Sequence, residues 1–88
     1  MPDTNEEKKE MTREEILATS LTAREQEVMH YQLNIDNYTL ALEEISNLPP
    51  VERAEMSTFA NQLSELLASE KLEQKKAKIM LAVIKKQL

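Results

Sequence analysis

The sequence predicts an all-α fold: an antiparallel helical hairpin with a short N-terminal helix and two long helices, coiled-coil-like and assembling into a dimeric helical bundle. Three observations carry that reading. Glycine is absent from all 88 residues, so the positive-φ positions on which tight hairpin turns and most β-rich folds depend have no residue suited to them. Val28, Tyr31, Ile35, Tyr38, Leu42 and Ile45 are spaced alternately three and four apart, which is the heptad of a helix–helix seam. Finally, "SNLPPVER" around Pro49 and Pro50 ends one helical pattern and opens another. Proline forces the preceding residue out of the α region yet is tolerated in a first helical turn.

The elements follow in order. "MPDTNEEKKE", residues 1–10, is polar and aperiodic and predicts a disordered acidic tail ahead of a single helical-hairpin domain over 11–88. Thr12 and Glu15 have capping-box spacing, and Met11 and Ile16 sit where a hydrophobic staple would, so a helix starts at Arg13. A second box, Thr22 with Glu25, predicts a short helix over 13–20 and a new one over about 23–47; one kinked helix running through is the alternative. Past the prolines, helix 51–87 carries two apolar blocks, Met56, Phe59, Leu63, Leu66 and Leu67 and then "IMLAVI" at 79–84 with Leu88, separated by the wet stretch "SEKLEQKKAK".

A fold-back symmetric about the prolines sets a register. It places Leu42 near Met56, Ile35 near Leu63, and Ile16, Leu17 and Leu21 against "IMLAVI". Glu25 and Glu27 then fall opposite Lys71 to Lys76, and Glu14 and Glu15 opposite Lys85 and Lys86. Apolarity and charge agree on one alignment, and such agreement across levels is what a folding sequence shows. The seam positions read this way hold no acidic residue.

Composition removes whole classes of chemistry. Without glycine there is no phosphate-cradling loop. Without cysteine there is no disulfide or thiolate site. One histidine, His30, leaves histidine-centred triads and multi-histidine metal sites short of parts. The expectation is a non-enzymatic chain with no catalytic residues, no metal and no cofactor. Eleven basic against 16 acidic residues give a net charge of −5, which disfavours nucleic acid as a partner. No apolar run approaches the roughly 18 residues of a membrane span, and no signal-peptide pattern opens the chain. The expected location is the cytoplasm.

What remains is binding. Met29, Leu33 and Leu40 lie on the side of the first long helix away from the seam, and Ile79, Met80, Leu81, Val83 and Ile84 belong to a segment apolar all round its helix. Contiguous apolar surface of this kind marks an interface, so these residues are the expected partner surface, and a homo-oligomer, a dimer first, is the expected assembly. Tyr31, Asn34 and Tyr38 share a face and form a candidate small-ligand cluster; as seam residues they would instead fill the hairpin and set its register. The basic C-terminus "KLEQKKAKIMLAVIKKQL" could lie on an anionic membrane, but its lysines have acidic partners in the inferred register.

"LTAREQEVM", residues 21–29, is similar to the start of the LuxR-type helix-turn-helix, in which a threonine caps a helix whose glutamate and valine face the domain core. The resemblance implies a turn within about one helix length and then a basic recognition helix. Here the heptad runs on through "HYQLNIDNYTLALEEI", which has no Lys or Arg, and the shared residues are those of a capped amphipathic helix. The expected function is therefore a protein–protein interaction module: an adaptor, a chaperone or an inhibitor. Behind it stand the small-ligand binder, an acidic mimic of nucleic acid using Glu14, Glu15, Glu25, Glu27, Asp36, Glu43 and Glu44, and last the DNA reader.

Overall fold

The computed structural model describes residues 10–88, so the tail expected over 1–10 lies, apart from Glu10, outside the described residues. It is an extended helical hairpin with no strand among those residues. Helix α1 spans Arg13–Ser46, a short α2 spans Pro50–Glu55, and α3 spans Ser57–Gln87.

Helix α1 opens as its capping residues dictate. Thr12 is extended, its hydroxyl accepts from the Glu15 amide at 3.2 Å, and the Glu15 carboxylate accepts from the Thr12 amide at 2.8 Å. Two amides that the helix cannot pair are thereby satisfied. The boundary expected between residues 20 and 23 is absent, because α1 runs unbroken through it. Thr22 turns its hydroxyl back to the Ala18 carbonyl at 3.3 Å instead of capping a new helix. Breaking there would have sacrificed backbone hydrogen bonds and interrupted a seam that begins at Leu17, well before Val28.

That seam reads Leu17, Leu21, Arg24, Val28, Tyr31, Ile35, Tyr38, Leu42 and Ile45, each buried or half-buried, with the three–four alternation kept over the whole helix. Helix α3 answers with Ala60, Leu63, Leu67, Glu70, Gln74, Ala77, Leu81 and Ile84 in the same alternation. The hairpin is thus an antiparallel coiled coil. The carboxylate of Glu70 corrects the expectation of a seam without acids.

The turn is made without left-handed backbone, and no described residue has positive φ. Asn47 ends α1 in right-handed geometry, its amide donating to the Glu43 and Glu44 carbonyls at 3.1 and 3.3 Å. Pro49, at φ −57° and ψ 155°, then redirects the chain, and Pro50 occupies the first turn of α2, where its missing N–H costs nothing. The long helix expected over 51–87 is interrupted at Met56, whose φ of −93° and ψ of 6° separate α2 from α3. Because α2 is spent on the turn, the fold-back centre moves beyond the prolines. Val28, expected opposite residue 71, instead meets Gln74.

The core is thin. Leu17, Ile35, Ile45, Leu63, Ala77 and Ile84 are its buried apolar residues, and Phe59 and Leu66, expected in the first apolar block of the second helix, stand largely exposed beside the seam. The radius of gyration is 21.0 Å, where a compact domain of this length has about 12 Å. The smallest dimension, 15 Å, is little more than one helix with its side chains.

Candidate partner-binding surfaces

Three kinds of surface result from this fold. The first is polar and lies within the seam. Gln74 is 8 % exposed, and its Nε2 donates to the Val28 carbonyl at 3.2 Å and to Gln32 Oε1 at 2.9 Å. Gln32 in turn donates through its own Nε2 to Asp36 Oδ1 at 2.9 Å. A buried amide thus fixes the alignment of the two helices and is linked to a carboxylate on the outside of α1. Glu70, one heptad position earlier, has its Oε2 buried without a hydrogen-bond partner.

The second kind comprises the clefts beside the seam. One, of about 120 Å³, is lined by Arg24, Glu27, Tyr31, Glu73, Lys76 and Met80, with Ala77 at its floor. Asn34 and Tyr38 are not part of it, so the structure does not bring the expected ligand cluster around one cavity. Both tyrosines and Asn34 are half-buried along the seam. The volume is also below the roughly 300–1,000 Å³ of small-molecule sites. Tyr31 has its neighbour His30 at a ring-centroid distance of 6.3 Å and an interplanar angle of 61°. On the opposite side, a shallower groove of about 360 Å³ is lined by Val28, Leu81 and Gln74 of the seam, with the more exposed Glu25, Met29, Gln32 and Lys78 around them.

The direct ion pairs expected between the helices are not formed among the described residues. Arg24 pairs with Glu27 at 2.9 Å and Lys76 with Glu73 at 3.2 Å, each within its own helix. Glu27 and Lys76 line the same cleft, but each is taken by a partner on its own helix. Among the described residues the interhelical polar contacts are those of Gln74 and one between Arg13 and the Gln87 side-chain oxygen at 3.2 Å. Charge remains segregated nonetheless: α1 carries seven acidic and two basic side chains, α3 three acidic and six basic.

The third kind is apolar and faces outward. Met29 is 72 % exposed and Leu33 and Leu40 57 % each on α1; Leu72, Ile79 and Val83 are 54, 63 and 43 % exposed on α3. Met80 is exposed at the rim of the Tyr31 cleft. Ile84 and Leu81, expected at a partner surface, are instead buried and half-buried, because their heptad positions turn them into the hairpin. Leu72 belongs with the outward set and was hidden in the sequence by its charged neighbours.

The architecture defines the chain as an all-α antiparallel coiled-coil hairpin. Comparison with known protein families, with characterised proteins and with solved structures finds no match to it. Among the described residues no helix is long and apolar enough to cross a membrane.

Proposed function

We propose that this chain is a non-enzymatic protein–protein interaction module, a small adaptor, chaperone or inhibitor that acts by covering a partner's surface. The observation that supports it most is the outward apolar set on both long helices, above all Met29, Leu33, Leu40 and Ile79. A two-helix hairpin has already satisfied its seam, and large aliphatic side chains on the far side of each helix add nothing to its own fold. Contiguous exposed apolar surface is the usual mark of a protein interface, and helix-in-groove recognition uses anchors at such spacing.

The test is site-specific photocrosslinking. A photoreactive side chain at Leu33, Leu40 or Ile79 should yield covalent protein adducts in cells, while the same group at Glu52 or Glu55, exposed polar positions of α2 off both outward sets, should not. Equal yields at both sets, or no adduct at any, would reject the reading. The acidic face of α1 supports a second reading, a mimic of nucleic acid, whose binding weakens steeply with salt. An affinity for the captured partner that stays flat between low and high salt would remove it.

A further inference from the structure

The outward residues of the two helices form complementary seams. On α1, Met29, Leu33, Asp36 and Leu40 are spaced four, three and four apart; on α3, Val83, Ile79, Lys76 and Leu72, taken in the reverse direction, have the same spacing. The alternation of three and four is what a coiled-coil seam requires, and here it occurs a second time on each helix, opposite the seam that closes the hairpin. An α1 laid antiparallel on an α3 therefore matches Met29 with Val83, Leu33 with Ile79 and Leu40 with Leu72, and brings Asp36 against Lys76. The charge of the helices agrees, since α1 is strongly acidic and α3 basic.

Within one chain these residues cannot meet. They lie on the faces of α1 and α3 turned away from the shared seam and are exposed, so both helix bodies stand between them, whereas side chains in one seam face each other between helices about 8–10 Å apart. We propose that the outer seam of α1 binds the outer seam of α3 of a second copy of this chain, in that one register. The proposal rests on the outward apolar set being a binding surface and names its occupant. Asp36 and Lys76 now make exposed contacts within their own helices, to Gln32 and Glu73; pairs of that kind are weak and easily exchanged. The contact is heterologous: one copy of a joined pair keeps its basic α3 seam free and the other its acidic α1 seam, so addition continues in one direction.

The absence of cysteine makes the register directly measurable. Mixed Leu33→Cys and Ile79→Cys chains, and mixed Leu40→Cys and Leu72→Cys chains, should form disulfide-linked dimers on mild oxidation. The mixture of Leu33→Cys with Leu72→Cys should not, because it is displaced by about two helical turns, or about 10 Å, beyond the reach of a disulfide. Adding Asp36→Lys to the first partner should lower the yield severalfold, and adding Lys76→Asp to the second should restore it, with helicity by circular dichroism unchanged throughout. Equal linking in and out of register, or none in register, would overturn the proposal. Photoadducts to a different protein at Leu33 together with no in-register disulfide would overturn it too, while leaving the broader binding reading standing.

Discussion

Replacement of Gln74 tests the seam most sharply. Its Nε2 makes two hydrogen bonds, to the Val28 carbonyl and to Gln32 Oε1, each contributing about 0.5–1.5 kcal/mol net. Gln74→Ala removes both and should lower stability by about 1–3 kcal/mol, a fall in Tm on the order of 10 °C for a domain of this size. Gln74→Leu removes the same bonds but buries an aliphatic side chain, which contributes about 1.5–3 kcal/mol. The acceptors left behind are not stranded, because Val28 O lies in the helix ladder and Gln32 is exposed. The leucine variant should therefore melt within a few degrees of the parent or above it, and any cost should appear as looser register instead. Thermal unfolding followed at 222 nm gives the two values, and a double-mutant cycle with Gln32→Ala should give a coupling of about 0.5–1.5 kcal/mol. A leucine variant as unstable as the alanine one, or an alanine variant as stable as the parent, would refute this account of Gln74.

Three other outcomes follow from the same structure. Ile35→Ala, at a buried seam position, should cost about 2–5 kcal/mol in urea unfolding, whereas Leu33→Ala on the outer face should change the dilute protein by no more than about 0.5 kcal/mol. Glu70→Leu should raise Tm, since it removes a carboxylate oxygen buried without a partner from an otherwise packable position. Glu15 is held below its ordinary pKa of 4.5, first by the Thr12 amide and then by the Thr12 hydroxyl contact. Its folded pKa is depressed, so its contribution is present above the unfolded value and lost as pH falls through the folded one. Protection of the first-turn amides of α1 should accordingly decline below about pH 4.5 in hydrogen exchange, and Glu15→Gln should flatten that decline.

Much of the hairpin is legible in the residues themselves. The Thr12–Glu15 box, the seam from Val28 to Ile45 and the stop at Pro49 are local signals whose physics does not depend on the rest of the chain. What escaped has identifiable causes. Thr22 and Glu25 have capping spacing, yet a threonine hydroxyl is equally satisfied by the carbonyl four residues back, so the signal is ambiguous wherever a seam continues. Arg24, Glu70 and Gln74 occupy heptad positions with polar side chains, and a search for apolar periodicity passes over them. Without them the seam looks shorter in α1 and broken in α3. The cross-helix charge alignment depends on a fold-back centred at the prolines; α2 displaces that centre, and nothing before Met56 announces it.

The outer seams were half visible. Met29, Leu33 and Leu40 stand out because their surroundings are polar, while Leu72 is buried in the sequence "SEKLEQKKAK" and gains meaning only when Ile79 and Val83 are seen seven and eleven residues beyond it on the same outward face. Function is legible only as far as surface: outward apolar residues on both long helices, with α1 acidic and α3 basic, are what the proposed binding rests on.

The proposed binding of one chain's outer seam by another copy is tested most directly by the mass of the chain in solution across a dilution series. Light scattering should give a mass well above the 10.2 kDa of one chain at tens of micromolar, falling on dilution, and Leu33→Glu should stay at the single-chain mass with the helicity of the parent. A parent chain that remains at 10.2 kDa at every concentration would contradict the account.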